Sequence, residues 1–589
     1  MIRRKADRGR RATVWGGSRR GFRERVAPIV ALLLVATLWR ATPSHAQEVR
    51  FDRVPDNAGI AFAHDYGGAA KAYISEFGGS GGTWLDYDRD GHLDVFLVNG
   101  LEGSGADPVG ASVAGLSDRS ASGGHMLFRR RDDRFDRVPA GAGAGESVWG
   151  NGAAVADVDN DGFPDLLVTA IGPDRLYRNN GDGTFSAGTV GVEDTGWGAS
   201  ASFVDWDGDG WVDLYVAKYV DFDGANTPTV GDRYCMYQGV AVFCGPEGLD
   251  GARDAFFRNR ANGTFEPWPS QRIDREATYG LALVATDCDG DARPEIYVAN
   301  DSTINLLYRR DDDGILDEWG LFSGAGYSSE GMEQAGMGVA AADFDADGRF
   351  DLLVSNFQND NNALYRNLGD CLFEEVSQPL GLAASSLPYM GWAVQFFDPD
   401  GDGDADVFVA NGHIYPQLDE FEPYAQRNLL SLNRLKETGE ARFEEVGEKA
   451  GPGMAIEAPS RAALIGDYDN DLDADVLVTN INGTPDLLRN DSQLQLAALQ
   501  VRLVGRAANR MGYGSRVVVR SGDDEQVLQL SSGNGYLGGN DARLLIYLPS
   551  GLADELRVDW GVGEETVLTN VAPGRIVVDQ ARGIVARRD

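Results

Sequence analysis

Residues 157–165 read Asp157-Val-Asp159-Asn-Asp161-Gly162-Phe163-Pro-Asp165 and run directly into the apolar triplet Leu166-Leu-Val168. Carboxylates stand at positions 1, 3, 5 and 9, with glycine at 6. When a chain turns sharply, side chains at 1, 3 and 5 converge on one point, and glycine permits the turn because it reaches positive φ without a Cβ penalty. The phrase recurs at Asp86 (DYDRDGHLD), Asp205 (DWDGDGWVD), Asp287 (DCDGDARPE), Asp343 (DFDADGRFD), Asp398 (DPDGDGDAD) and Asp467 (DYDNDLDAD), making seven copies. A single Asp-rich turn is an ordinary solvated loop. Seven with the same spacing define a repeat.

The repeated carboxylates predict oxygen cages for hard cations, completed by the carbonyl of position 7. The first loop supplies Asp86, Asp88, Asp90, His92 and Asp94, and the second Asp157, Asp159, Asp161, Phe163 and Asp165. The third supplies Asp205, Asp207, Asp209, Trp211 and Asp213, and the fourth Asp287, Asp289, Asp291, Arg293 and Glu295. The fifth supplies Asp343, Asp345, Asp347, Arg349 and Asp351. The sixth and seventh supply Asp398, Asp400, Asp402, Asp404 and Asp406, and Asp467, Asp469, Asp471, Asp473 and Asp475. Flexible six- or seven-oxygen cages suit Ca²⁺ better than Mg²⁺, which demands a stricter octahedron, so up to seven Ca²⁺ are expected, chiefly as structural staples. Ala292 and Leu472 replace the turn glycine in the fourth and seventh loops, which marks these as the weaker sites.

An EF-hand begins the same way but needs a bidentate Glu at position 12 and flanking helices. Position 12 is Leu97, Val168, Val216, Val298, Val354, Val409 and Val478, each in a short apolar strand. EF-hands are therefore excluded. Small-residue strands such as Gly150–Val155 precede the loops. Downstream come a strand such as Leu176–Asn179, a turn such as Asn180-Gly-Asp-Gly183 and a strand opening at Phe185. Four short strands per repeat predict an all-β, seven-bladed propeller. The closing strand recurs at Phe135, Phe185, Phe265, Phe373 and Phe443, in degenerate form near Ile315–Trp319, and is missing after Asn490. An orphan copy, Phe51-Asp-Arg-Val54, precedes the first loop and is expected to complete the last blade. The resulting domains are 47–492, a propeller, and 493–580, a small β-domain signalled by alternation in Val517–Arg520 and Val527–Leu530, with a tail at 581–589.

Composition agrees with an exported, metal-loaded protein. Hydrophobic residues make up 43% of the 589, enough for a large core, and 76 glycines imply many tight turns. The net charge of −38 argues against nucleic acid and anionic membrane surfaces as partners. Residues 1–46 are basic, then apolar from Val26 to Trp39, then small through Ala46, the order of a secretory signal cut before Gln47. Ser18-Arg19-Arg20-Gly21-Phe22 resembles the twin-arginine export signature, with general secretion the alternative. The apolar run is short for a membrane span. The stretch Gly103–Gly124 reads as a surface loop. Export favours a bridge between Cys235 and Cys244, nine residues apart in an insertion, and leaves Cys288 and Cys371 either free or paired.

These repeats resemble the FG-GAP/VCBS repeats of integrin-α-like propellers. Cys235-Met-Tyr-Gln-Gly-Val-Ala-Val-Phe-Cys244-Gly-Pro-Glu-Gly-Leu249 and Asn411-Gly-His-Ile-Tyr-Pro416 are similar to the cartilage acidic protein family and its bacterial relatives. Val501–Gly505, Asn509–Val519, Gly533-Asn-Gly-Tyr-Leu537 and Leu556–Trp560 resemble the ASPIC/UnbV domain, departing from it where Gly561 follows Trp560 in place of the usual proline. The resemblance implies a calcium-binding extracellular protein engaged in adhesion or matrix binding. Expected partners are an extracellular or envelope protein or a glycan, and the expected location is periplasmic, cell-surface or extracellular. Histidines 45, 64, 92, 125 and 413 are scattered singly, and no HExxH, GxSxG or Cys/His nucleophile pattern occurs. Catalysis is not expected, and the alternative is a Ca²⁺-dependent carbohydrate binder or polysaccharide-active enzyme using the propeller face.

Overall fold

The computed structural model describes residues 49–101, 124–188, 191–192, 195–223, 227–231, 235–268, 277–310, 316–506, 509–561 and 563–588. The signal segment and almost all of the Gly103–Gly124 stretch lie outside them. Seven four-stranded antiparallel blades follow one another: residues 82–137, 150–187, 195–267, 280–318, 339–375, 391–445 and 460–490. In each, the acidic phrase links the first strand to the second, so all seven loops lie at one end of the ring. Alternation within the strands packs each blade against the next. Leu97, Phe128, Leu464 and Leu477, for example, form one core between blades 7 and 1.

Blade 7 has three strands of its own, and Phe51–Arg53 supplies the fourth by pairing with Leu488–Asn490. Phe51 is fully buried. The two ends of the propeller are thereby joined in one sheet, and the ring presents no open edge between its first and last repeats. The degenerate closing strand of blade 4 is Leu316–Glu318, paired with Tyr308–Arg310.

The C-terminal domain is a pair of four-stranded sheets. Ala497–Val504 is flanked by Arg543–Leu548 and, in parallel, Gly574–Asp579; Arg516–Ser521 and Ala553–Asp559 centre the other sheet. Leu499, Val501, Val517, Val519, Leu556, Trp560 and Val578 are buried in one cluster with residues of blades 2 and 3. The tail expected at 581–589 is instead a strand, Gly583–Arg588, hydrogen-bonded to Gly574–Asp579. Gly583, at φ +69°, allows the hairpin, and Ile584 and Ala586 continue the alternation.

One segment of this domain, Ser531–Asp541, enters the propeller channel. Gly538–Gly539 runs parallel to Gly82–Thr83 of blade 1, and Gly535 pairs with Val339 of blade 5. The Leu537 carbonyl accepts from Gly82 and Ala153, and its N–H donates to Ser200 Oγ. Asn540 Oδ1 accepts from Ile465 N at 2.9 Å, and its amide donates to Gln395 of blade 6. The Tyr536 ring lies 4.9 Å from that of Trp392, and its hydroxyl donates to Gly78 O. The innermost strands of a propeller carry backbone groups with no neighbouring strand, and this plug satisfies several of them. Its glycines pack closely, Gly533 against backbone and Gly538 against a leucine side chain. A Cβ on Gly538 would lie 2.5 Å from Leu464 Cδ2, and one on Gly533 would lie 2.5 Å from Ala201 O.

A chain beginning at Gly59 loses the strand that closes blade 7 and empties the Phe51 site. We expect it to be destabilised by about 3 kcal/mol or more in chemical denaturation. Stability equal to that of the chain from Gln47 would refute closure by this strand.

Candidate metal centre

The seven acidic loops share one hydrogen-bonded frame. Oδ1 of position 5 accepts the N–H of position 7 in every loop, from Asp90–His92 at 2.9 Å to Asp471–Asp473 at 3.2 Å. Position 1 accepts from the N–H of position 6 in six loops, as in Gly162 to Asp157 Oδ2 at 2.7 Å. Position 6 has positive φ in all seven, including Ala292 at 66° and Leu472 at 77°, so both accept the backbone that glycine takes elsewhere. Position 4 is also left-handed throughout, whether glycine, asparagine, Arg89 or Ala346. The sequence gives little warning of that.

The carboxylate at position 9 is buried in every loop. One oxygen accepts from the N–H of position 2, as in Val158 to Asp165 at 2.9 Å, in six loops. The exception is explained by Pro399, which has no N–H and leaves Asp406 Oδ2 buried without a partner. The other oxygen accepts from the end of the third strand: Arg130, Asn179, Asn259, Asn367, Asn433 or Asn490.

That third-strand residue also ties neighbouring blades together. The side-chain amide of Asn179 donates to Tyr87 O, Asn259 to Val158 O, Asn367 to Cys288 O, Asn433 to Phe344 O and Asn490 to Pro399 O. Each acceptor is position 2 of the preceding blade's loop. Arg310 reaches Trp206 O and Arg130 reaches Tyr468 O in the same way, which completes the circle. The residue before it is Arg129, Arg178, Arg258, Arg309 or Arg366 in blades 1–5, and each forms an ion pair with position 3 of its own blade's loop. In sequence, Tyr177-Arg178-Asn179 and its counterparts read simply as strand. Their recurrence at the same place was the available signal.

These donors leave part of the cage unsatisfied. Asp86, Asp88, Asp205, Asp345, Asp400, Asp404, Asp469 and Asp473 each bury an Oδ1 with no hydrogen-bond partner. Ligand oxygens of Asp86, Asp88 and Asp94, of Asp157, Asp159 and Asp165, of Asp205, Asp207 and Asp209, and of Asp287, Asp289 and Asp291 gather within 4.8 Å. Burial, reinforced by neighbouring carboxylates, pushes Asp94 up to about 9, Asp165 to about 8, Asp157 and Asp469 to about 7, and Asp473 to about 9. Crowded anions with spare oxygen lone pairs fit a hard cation. Loops 6 and 7 differ in that position 7 is a buried Asp, Asp404 or Asp473, adding a carboxylate beside the expected carbonyl.

The C-terminal domain meets this loop-bearing end. Gln500 donates to Asp467 Oδ2 at 2.9 Å, Gln529 accepts from Asp287 N, Arg516 donates to Gly348 O, and Arg543 to Asn470 Oδ1. Cys235 pairs with Cys244 in the blade 3 insertion, and Cys288 pairs with Cys371, which the sequence left open. The second bridge links loop 4 to blade 5, and both sulfurs lie against Glu295. The buried histidines serve as backbone acceptors: Nδ1 of His64, His125 and His413 takes the N–H of Asn482, Asn99 and Tyr415.

Comparison with known proteins finds relatives of the repeats and of the C-terminal domain. FG-GAP-like repeat models match residues 86–168, 157–216, 287–354 and 343–409, and the ASPIC and UnbV model matches 505–582. The chain contains FG-GAP-like repeats and an ASPIC and UnbV domain. It is 26% identical over 308 residues to human cartilage acidic protein 1, covering 48% of this chain and 40% of that protein. Against the mouse protein it is 25% identical over 356 residues, covering 57% and 49%. The chain thus spans less than half the length of these curated relatives. Among solved structures, Saccharomyces cerevisiae Sqt1 aligns over 73% of this chain and 99% of its own at 8% identity, with a TM-score of 0.36. The FG-GAP matches begin at the acidic phrases.

Replacing Asn367 by Ala removes the donor to two buried carbonyls, Cys288 O and Phe350 O. The expected loss is about 2 kcal/mol or more in urea unfolding. A loss under about 0.5 kcal/mol, the scale of an ordinary surface change, would show that the inter-blade bond is dispensable.

Proposed function

We propose that this chain is an exported calcium-binding interaction protein, its Ca²⁺ ions structural and its partner an extracellular or envelope protein or glycan. The observation that carries the metal assignment is the set of buried, unpartnered carboxylate oxygens in the loops. A cation would be held by positions 1, 3, 5 and 9, supplying positive charge where the protein concentrates negative charge. Ca²⁺ suits the loops because the oxygen set is large and built on flexible turns. The interaction role rests on the repeat family and on the resemblance to cartilage acidic protein 1. Among the described residues no helix is long and apolar enough to cross a membrane, which is compatible with release after export. A binding role rather than catalysis accords with the three buried histidines being engaged by backbone.

Ca²⁺ that binds only the folded chain contributes RT ln(1 + [L]/Kd) per site, about 2.7 kcal/mol at a hundredfold excess over Kd. EDTA should therefore lower the melting temperature strongly, and Mg²⁺ should restore it poorly. The effect should depend on pH. Without metal, carboxylates raised in the folded state hold protons that the unfolded chain releases, so stability grows as pH falls from about 9 toward the ordinary carboxylate range near 4. Those protons compete with Ca²⁺, so the calcium-induced rise in melting temperature should be largest near pH 8 and shrink on acidification. Melting curves indifferent to EDTA would overturn the metal assignment. A pull-down from envelope and extracellular material in Ca²⁺ against EDTA tests the interaction role, and release of reducing sugar ends from polysaccharide would overturn it.

A further inference from the structure

The end of the propeller opposite the acidic loops carries a cavity of about 700 Å³ to which no role has been assigned. Part of its wall comes from connections between second and third strands, which lie opposite the acidic turns, and part from the segments that lead into first strands, such as Phe77, Met337 and Met390. The disulfide-tied insertion of blade 3 supplies Tyr237 and Phe243, blade 5 supplies Phe357, and blade 6 supplies Tyr415. Their rings approach one another closely: Phe243 and Tyr415 have centroids 4.8 Å apart, Tyr237 and Tyr415 5.7 Å, and Tyr237 and Phe357 5.9 Å. Trp392 and Met390 continue the lining inward.

Behind these rings the buried His413 packs 5.6–6.1 Å from Tyr415, Phe357 and Tyr237, its Nε2 3.3 Å from Glu422. The carboxylate that lines the cavity itself beside the aromatic wall is Asp301. Asp301, the first residue after the second strand of blade 4, accepts the Tyr219 hydroxyl on Oδ2 at 2.7 Å and the Ser302 hydroxyl on Oδ1 at 2.9 Å. Both donors are neutral, and among the described residues no basic side chain forms an ion pair with Asp301. Among the described residues no Lys, Arg or His lines the cavity, and the only other charged one is the exposed Glu247. The nearby buried Arg461 turns its guanidinium to the carbonyls of Phe77, Ser460 and Gly412 and stacks on Trp392, 4.1 Å from the ring. The site therefore offers several π faces, one anchored anion and few groups able to hydrogen-bond the hydroxyls of a sugar.

We propose that this cavity binds a compact organic ammonium ion, its alkylated nitrogen held among Tyr237, Phe357 and Tyr415 and its charge balanced by Asp301. Ring quadrupoles attract such a cation, and desolvation in an enclosed site strengthens the attraction. The ion is fixed by chemistry, a diffuse positive charge with an apolar surface, and is separate from the Ca²⁺ loops at the far end.

Calorimetric titration of the full exported chain, in buffer containing Ca²⁺, tests the proposal with choline, its uncharged isostere in which carbon replaces nitrogen, and glucose. Choline should bind about tenfold or more tighter than the isostere, and glucose should not bind. Asp301→Asn should weaken choline about tenfold and leave the isostere unchanged. Phe357→Leu, which keeps apolar volume but removes a π face, should weaken choline more than the isostere even if the first variant folds poorly. Equal affinity for choline and the isostere, absence of choline binding, preference for glucose, or neither substitution affecting choline selectively would overturn the proposal.

Discussion

One buried carboxylate per blade holds this propeller together. Position 9 of each acidic phrase begins the second strand, accepts the N–H of position 2 where there is one, and in six blades accepts the end of the third strand. It thus fixes the turn and the strand pairing with the same two oxygens. The cost is a negative charge placed in the core beside other carboxylates, and burial drives these groups toward protonation. A fold built on such a group needs either protons or a cation in every loop. The third-strand arginines paired with position 3 relieve part of this repulsion in five blades, and the circle of asparagines and arginines passes the constraint from one loop to the next.

The two ends of the channel are finished differently. At the loop end, Ser531–Asp541 enters the channel while Gln500, Arg516 and Arg543 rest on the loops themselves. The order of the acidic turns and the seating of the C-terminal domain are therefore coupled through shared hydrogen bonds. At the far end, second-to-third-strand connections of unequal length leave an aromatic cavity. The carboxylate-lined loops and the aromatic cavity with its single lining carboxylate thus lie at opposite ends of the axis.

Much of this was legible because repetition turns weak local signals into a strong one. The loops, their strands, the blade number and the closure by Phe51–Arg53 all follow from a register counted seven times. Whatever breaks or crosses the repeat was harder to see. Asn367 bonds a carbonyl 79 residues away in another blade, so no local pattern names its partner, although the recurrence of Arg-Asn marks the position. The left-handed residue at position 4 is concealed because Arg89, Asn160 and Ala346 share no turn chemistry. Pro399 silently deletes a donor. The pairing of Cys288 with Cys371 depends on blade adjacency, and the plug depends on a channel that no single repeat encodes. The final strand reads as a tail in sequence because it is short and basic, whereas its pairing with Gly574–Asp579 comes only from tertiary structure.

The central claim is that each acidic loop is a cation cage, and counting bound metal tests it most directly. Native mass spectrometry of the exported chain, isolated in Ca²⁺ and then exposed to increasing chelator, counts the ions bound per chain, and Ala292→Gly and Leu472→Gly variants identify the loops that empty first. The account predicts one Ca²⁺ per loop at saturation, with the ions of loops 4 and 7 leaving first, where Ala292 and Leu472 hold the left-handed turn that glycine holds elsewhere. A folded chain that retains metal in fewer than half of its loops under saturating Ca²⁺ would contradict it.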